Sequence, residues 1–447
     1  MKKYKICVIG AGHVGLVAAA SFSELGHRVI CVDSDKKKIE GLKKLIVPFY
    51  EPDLEKLVRE NTKKKNLLFM PSLDEGIKKS DVVFIAVGTP PQPDGSADLT
   101  SIEDVAHRIA KNLVSYKLIV EKSTVPVQTG QKIKETIQRY KKNTTHFDVA
   151  SNPEFLREGK AVYDFFHPDR IVIGVESRRA ENILKEIYHS LKASIIVTDI
   201  NTAELIKHAS NSFLATKISF INAVSRICDC AGADVEKVAE AMGMDERIGN
   251  QFLQTGVGYG GFCFPKDLEA FLYISKKLGY DFGLLREVKK INEEQRVYFV
   301  EKIKEHLWVI KDKRIGILGL SFKPNTDDIR FAPSLDIIRL LLEEGARLTL
   351  YDPQVKKERV FWSLRSQKEK SSSEETIAQI KFAKTPYEAV KGCDCACFIT
   401  EWDELKKIDF KKIKELMHYP LIADGRNMFT PQVLGKMGFK YIGIGRV

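Results

Sequence analysis

One cysteine stands in Gly258-Tyr259-Gly260-Gly261-Phe262-Cys263-Phe264-Pro265-Lys266-Asp267, bedded in glycine with a lysine and a carboxylate close behind it. Cysteine attacks carbon as the thiolate, and a neighbouring cation favours that form, so the setting suits covalent capture of a carbonyl. The plainer account of Cys263 is a small buried hydrophobe. A second constellation is Lys207 with Asn211, in a stretch where Ile206, Phe213 and Leu214 repeat at helical spacing. Residues four apart share one helix face, and an ammonium beside a carboxamide suits a substrate oxygen. Coincidental placement on a solvated face is the alternative. Thr124, in Glu121-Lys122-Ser123-Thr124-Val125-Pro126, offers a hydroxyl beyond a strand, and Glu154 a carboxylate after Pro153. Taken alone, they read equally as a helix cap and as a carboxylate capping a turn.

These groups need a frame, and the first segment supplies one. A strand over Lys5 to Ile9 runs into Gly10-Ala11-Gly12-His13-Val14-Gly15, an Ala-rich helix follows from Leu16 to about Leu25, and a strand from Arg28 to Val32 ends at Asp33. Strand, GxGxxG turn, helix and a later acidic residue together predict a dinucleotide site. Gly10 permits the turn, Gly12 lets backbone approach a pyrophosphate at the helix N-terminus, and Gly15 lets helix and strand pack. Asp33 suits the ribose hydroxyls and would repel a 2′-phosphate, which favours NAD over NADP. Lys36, Lys37 and Lys38 argue the other way, or simply solvate a helix start. Ser80 to Val87 is a further buried strand, Leu118-Ile119-Val120 another, and Thr100 with Glu103 has the capping-box spacing that starts a helix.

The same grammar returns after residue 310. Arg314-Ile315-Gly316-Ile317-Leu318-Gly319-Leu320 is a strand entering a glycine turn, a helix spans about Ser334 to Glu344, and Arg347 to Leu350 leads to Asp352. Glu75-Gly76-Ile77-Lys78-Lys79-Ser80-Asp81 echoes Glu388-Ala389-Val390-Lys391-Gly392-Cys393-Asp394 with Glu, Lys and Asp in register. The copy lacks the third glycine and carries Lys323, Pro324 and Arg330, which points to a different phosphate-bearing ligand. Between the halves strand signals vanish. The expected fold is therefore α/β: two Rossmann-like doubly wound parallel sheets, residues 1–197 for NAD and 309–447 for the other phosphate-bearing ligand, joined by an all-helical region, 198–308.

Bulk composition bounds the rest. At 44% hydrophobic and 29% charged residues, 447 residues bury several cores, and no apolar run reaches membrane-spanning length. With Met1-Lys2-Lys3-Tyr4-Lys5 leading straight into a strand, a cytoplasmic enzyme is expected. The net charge of +11 fits anionic nucleotides; it is spread along the chain, so nucleic acid and membrane are not expected partners. None of the eight cysteines forms a CxxC pair, and Cys393, Cys395 and Cys397 alternate on one strand face, which fits packing better than metal. The stretch from Lys368 to Glu375, rich in Lys, Ser and Glu, reads as a mobile surface loop.

A nicotinamide site brings hydride transfer and an activated cysteine brings aldehyde capture; together they imply an alcohol oxidised twice. At this point the chain resembles the UDP-glucose/GDP-mannose dehydrogenase family, most closely its UDP-glucose branch. The resemblance rests on Gly10 to Gly15, Gly88-Thr89-Pro90, Ser123-Thr124-Val125-Pro126, Asn152-Pro153-Glu154-Phe155-Leu156-Arg157-Glu158-Gly159, Lys207 with Asn211, the Cys263 loop, Phe322-Lys323-Pro324 with Arg330, and Asp424-Gly425-Arg426. It implies oxidation of UDP-glucose to UDP-glucuronate with two NAD reduced, in the service of polysaccharide biosynthesis. By resemblance Cys263 is the nucleophile, Lys207, Asn211 and Asp267 surround the reacting oxygen, and Glu154 with Thr124 activates the hydrolytic water. The implied cofactor set is Gly10, Gly12, Val14, Gly15, Asp33, Lys38, Thr89, Thr124, Glu158, Lys266 and Arg330. The implied substrate set is Glu154, Leu156, Lys207, Asn211, Arg247, Phe252, Gly260, Lys323 and Arg426, with Arg247 lent to the neighbouring subunit of a homodimer or larger homo-oligomer. The family usually has serine where Phe262 stands, which opens the question of how closely the backbone nears the reacting carbon.

Three rivals remain at this stage. They are a sister dehydrogenase of GDP-mannose or UDP-N-acetylmannosamine, a two-electron 3-hydroxyacid dehydrogenase, and a catalytically silent NAD-binding regulator. Cys263 and the C-terminal half count against the last two.

Overall fold

A computed structural model of the chain describes residues 2–366 and 377–446. Fourteen strands are present among them: β1 (Lys5–Ile9), β2 (Arg28–Val32), β3 (Leu67–Met70), β4 (Val82–Ile85), β5 (Lys117–Glu121), β6 (Phe147–Ser151), β7 (Arg170–Val175), β8 (Ser194–Thr198), β9 (Arg314–Leu318), β10 (Arg347–Tyr351), β11 (Ile380–Phe382), β12 (Cys395–Phe398), β13 (Leu421–Asp424) and β14 (Lys440–Ile442). They form an eight-stranded sheet in the order β3-β2-β1-β4-β5-β6-β7-β8 and a six-stranded sheet in the order β11-β10-β9-β12-β13-β14. The first six positions of both sheets follow one doubly wound order, and all pairings are parallel except β6 with β7. The expected α/β class and the internal repeat are both present.

Packing divides the chain into two compact units, Met1–Ser210 with Glu269–Asp281, and Asn211–Leu268 with Phe282–Val447. In the first, β1 sends Ile6 and Val8 into one core and Cys7 and Ile9 into another, because alternate residues of a strand face opposite sides and helices cover both. In the second, β12 likewise sends Cys395 and Cys397 to one core and Ala396 and Phe398 to another. Cys393 lies ahead of the strand and donates to the Ala389 carbonyl, so the shared cysteine face is limited to Cys395 and Cys397.

The repeat extends to individual hydrogen bonds. Gly10 N–H donates to the Val32 carbonyl and Gly319 N–H to the Tyr351 carbonyl, both at 2.8 Å. Asp81 and Asp394, in register in the sequence, accept the N–H of the first residue of the central strand, Lys5 at 3.2 Å and Arg314 at 2.9 Å. Asp33 and Asp352 both accept from the glycine turn, through Ala11 N–H and Leu320 N–H. Asp352 is further engaged by Ser321, Gln354, Val355 and Trp402 and is buried, so the copy presents no free carboxylate to a ribose.

The middle of the chain is helical as expected. The helices Ile200–Ala231, Val235–Gly243, Cys263–Lys277 and Gly283–Leu307 leave a long turn-rich segment before Cys263. Within the second unit, Gly283–Leu307 packs on the helix Pro333–Glu343 and is tied to it by Arg296 with Asp336. The chain's end is pinned as well: Gly445 N–H donates to Asp229 and its carbonyl accepts from Val235.

A helix starts at Thr100 as expected, but not through a capping box. Thr100 is the first residue of its helix, Leu99 holds the cap position without a side-chain bond, and Asp98 accepts the Thr100 N–H at 2.9 Å. A carboxylate two residues back closes an Asx turn on the Thr100 N–H, and no capping box forms. The expected loop at Lys368 to Glu375 lies outside the described residues.

Candidate active site

In the first unit the glycine turn is built for close approach. Gly10 has φ +104° and any Cβ there would run into the Ala86 carbonyl, while a Cβ on Gly15 would strike the Gly10 carbonyl. A Cβ on Gly12 would meet open space, at the N-terminus of the helix His13–Glu24. The first and third glycines are thus demanded by packing and the second leaves a bare backbone, which fits a pyrophosphate on a helix N-terminus. Val14 is half-buried beside it. Asp33 accepts from Ala11 N–H at 2.8 Å, Asp35 N–H at 2.9 Å and the Lys38 ammonium at 2.9 Å. Burial alone would raise its pKa; these donors outweigh it and hold the carboxyl below its ordinary range. Lys38 is therefore tied to Asp33, while Asp35 caps the helix Lys36–Lys43.

Around the ends of β4, β5 and β6 the same unit gathers the first half of the proposed chemistry. Thr89 is buried and donates to the Thr124 carbonyl at 2.9 Å, leaving Thr124 half-buried. Glu154 Oε1 pairs with Lys207 Nζ at 2.9 Å, both side chains 4% exposed, while Oε2 accepts the Leu156 N–H at 2.6 Å. Glu154 thus caps the turn after Pro153 and also faces a buried ammonium. Lys207 also lies 5.4 Å from the Phe155 ring centre. Glu158 is half-buried in the same segment.

The helix Ile200–Ala231 carries Lys207 in the first unit and Asn211, one turn on, in the second. In the second unit Cys263 is the first residue of its helix, where the positive end of the peptide dipoles favours an anion. Lys266 and Asp267, three and four residues on, form a buried pair at 2.8 Å, and the other Asp267 oxygen accepts from Asn211 Nδ2 at 2.6 Å. Asp267 lies four residues beyond Cys263, hence on its side of the helix. Phe262, in the serine position, is packed against cations: Arg330 Cζ is 4.3 Å and Lys266 Nζ 5.7 Å from its ring centre, and Arg330 is forked onto Asp328. The aromatic ring thus braces two of the cofactor candidates.

Glu154, Leu156 and Lys207 belong to the first unit, and the remaining substrate candidates fall in this one. Gly260 is required because a Cβ would strike the Phe331 carbonyl. Phe252 adopts φ 64° and packs at a tilt near Phe264, with ring centres 6.2 Å apart. Arg426 donates to the carbonyls of Ile399 at 2.8 Å and Gly258 at 3.0 Å, so it ties the glycine segment to the C-terminal sheet. Lys323 lies over the Phe322 ring. Arg247 stands apart: its side chain is 89% exposed and held by Asp245.

Three buried polar groups nearby escape a sequence reading. Lys122, just beyond β5, is buried, donates to the Asn152 carbonyl and side chain, and is pushed by burial down to about 8. Glu204 accepts the N–H groups of Gln128 and Gly130, clamping the long helix to the start of the helix Thr129–Tyr140; burial lifts it to about 7. His208 reaches the Val125 carbonyl at 2.7 Å. Spacing carried a signal for the last two, since Glu204, Lys207, His208 and Asn211 follow i, i+3, i+4, i+7 and share one face. Lys122 had only its place at the end of a buried strand.

Comparison with known proteins matches the whole chain. Residues 4–192 match the NAD binding domain, 201–294 the central domain and 316–431 the UDP binding domain of the UDP-glucose/GDP-mannose dehydrogenase family. The chain is 46% identical to the UDP-glucose 6-dehydrogenase YwqF of Bacillus subtilis, over 99% of this chain and 97% of that protein. It is 44% identical to the UDP-glucose 6-dehydrogenase TuaD of the same organism, over 99% and 93%. Among solved structures, a UDP-glucose dehydrogenase from the hyperthermophilic archaeon Pyrobaculum islandicum superposes with TM-score 0.90 at 35% identity, covering 100% of this chain and 98% of that one. A UDP-D-ManNAc dehydrogenase from Pyrococcus horikoshii gives 0.84 at 26%, covering 99% of each.

Proposed function

This chain belongs to the UDP-glucose/GDP-mannose dehydrogenase family and is an NAD-dependent oxidoreductase, and from that premise we propose that it oxidises UDP-glucose to UDP-glucuronate in two hydride transfers. Bound NAD supplies the hydride acceptor, one molecule for each oxidation. The residues of the chain do the rest. Asn211 and Lys207 stabilise negative charge on the reacting oxygen, and Asp267, already hydrogen-bonded to Asn211, orders the water that takes up the hydroxyl proton. Cys263 adds to the aldehyde to give a thiohemiacetal, which becomes a thioester at the second oxidation. Glu154, with Thr124, then activates the water that releases the carboxylate.

The observation that carries this reading is Cys263 at a helix start with the paired Lys266 and Asp267 three and four residues on and Asn211 bonded to Asp267. A two-electron dehydrogenase has no use for that thiol. The remaining cofactor candidates, Thr89, Glu158 and Arg330, and the substrate candidates Leu156, Phe252, Gly260, Lys323 and Arg426 keep the roles given above as part of the proposal. So does the division into 1–197 for NAD, 198–308 for dimerisation and 309–447 for the UDP-sugar. A homodimer is supported by Phe213, Phe220 and Ile227, which follow at intervals of seven along the long helix and are at least half exposed, an apolar stripe that water disfavours. In that dimer the exposed Arg247 serves the neighbouring sugar site. No described helix is long and apolar enough to cross a membrane, and most of the cysteines are buried in the cores; we place the enzyme in the cytoplasm.

The test is stoichiometric. Incubation with NAD and each nucleotide sugar should give about two NADH per UDP-glucose consumed, and one would overturn the double oxidation. The likeness to a UDP-D-ManNAc dehydrogenase favours UDP-N-acetylmannosamine as the second substrate to try, and faster turnover of it would replace the sugar assignment.

A further inference from the structure

The buried lysine that the proposed chemistry leaves unused sits at a junction. Lys122 follows β5, is 5% exposed, and its ammonium donates to the Asn152 carbonyl at 3.2 Å and to Asn152 Oδ1 at 3.1 Å. Asn152, the first residue after β6, is held from three further sides. Its N–H donates to the Glu121 carbonyl and its Nδ2 to the Val172 carbonyl on β7, both at 2.8 Å, and Tyr188 Oη donates to its Oδ1. Two residues on comes Glu154, fixed between Lys207 and the Leu156 N–H.

A buried ammonium hydrogen-bonded to amide oxygens is costly, and methionine would fill the same length without that cost. Burial depresses Lys122, while the charges of Glu154 and Glu121 hold its proton on and Lys207 opposes them. The same Coulomb attraction acts on Glu154, so the ammonium couples to that carboxylate while it anchors the residue at the root of its segment.

We propose that Lys122 is a positioning residue for thioester hydrolysis, pinning Asn152 so that Glu154 is held in line with the attacking water and backed by a second positive charge. The inference rests on the reading of Glu154 as the base of that step. There, the water oxygen bonds to the acyl carbon as its proton passes to Glu154, the C–S bond breaks, and the Cys263 sulfur leaves with the bonding electrons as thiolate. The product is a carboxylic acid that ionises, and no electrons are exchanged. Lys122 acts after both oxidations, so its loss should spare them.

The experiment uses the full chain with UDP-glucose and NAD under rapid mixing, with variants Lys122→Met, Lys122→Gln and Lys122→Arg. Lys122→Met should give a fast burst of about two NADH per active site and then a steady state slowed roughly 10–100-fold, the scale of a misplaced catalytic group. Intact-mass measurement should find the uronyl thioester on Cys263, with KM for both substrates little changed. Lys122→Arg, which keeps the charge, should turn over faster than Lys122→Gln. If Lys122→Met does not fold, Lys122→Gln, which keeps an amide donor for Asn152, is held to the same criterion. An unchanged steady state, a first oxidation slowed equally, or no covalent intermediate would overturn the inference. A native enzyme forming one NADH per sugar would instead overturn the reaction on which it rests.

Discussion

Replacing Lys207 with methionine removes one half of an ion pair whose partners are 2.9 Å apart and 4% exposed on both sides. Glu154 would keep its bond from the Leu156 N–H but lose the ammonium, and a buried charge stripped of its partner costs about 3–5 kcal/mol. For a unit of this size that is roughly 6–20 °C in midpoint, at about 2–4 °C per kcal/mol. The double variant Lys207→Met/Glu154→Gln removes both charges while a carboxamide oxygen still accepts from Leu156. It should recover about 0.5–3 kcal/mol relative to the sum of the single losses, the usual coupling between contacting groups. Activity should not recover: each single variant and the double should lose about 10²–10³-fold in kcat, as when an oxyanion donor is removed. Calorimetric unfolding read beside steady-state NADH formation separates the two effects. Additive stability losses, or a double variant that regains turnover, would refute the view that this pair is both a structural unit and part of the reaction.

Cys263→Ala should bind NAD and UDP-glucose with near-native affinity by titration calorimetry yet form no uronate; undiminished product would remove the thiol from the mechanism. Asp33→Ala should free Lys38 from its carboxylate and raise the ratio of kcat/KM for NADP over NAD by about 10²-fold, read from parallel coenzyme titrations; an unmoved ratio would separate this carboxylate from coenzyme choice. Glu204, lifted by burial from 4.5 to about 7, binds its proton more tightly folded than unfolded. Its contribution to stability is therefore full below pH 4.5 and lost as pH rises through 7, and urea midpoints should show a downward component over that window that Glu204→Gln abolishes.

Much of this protein was legible before its folding was known. The GxGxxG turn, its flanking strand and helix, and the acid at Asp33 are local: dihedral freedom and hydrogen-bond reach over a few residues dictate them. The second Rossmann-like half followed because the same turn grammar reappears, down to Asp81 and Asp394 in register. Lys207 and Asn211 could be grouped by spacing because one helical turn sets who shares a face, and Cys263, Lys266 and Asp267 by nearness in the chain. Thr100 shows the limit, since spacing marked the helix start but only the folded turn gave the Thr100 N–H to Asp98. What tertiary structure alone decided is which charges meet: Glu154 with Lys207, Asp267 with Asn211 and Lys266, Phe262 beneath Arg330, and Lys122 under Asn152. None of those pairings except Lys266 with Asp267 is close in sequence. Each depends on burial, which raises the cost of an unpaired charge and so makes the choice of partner a property of the packed chain.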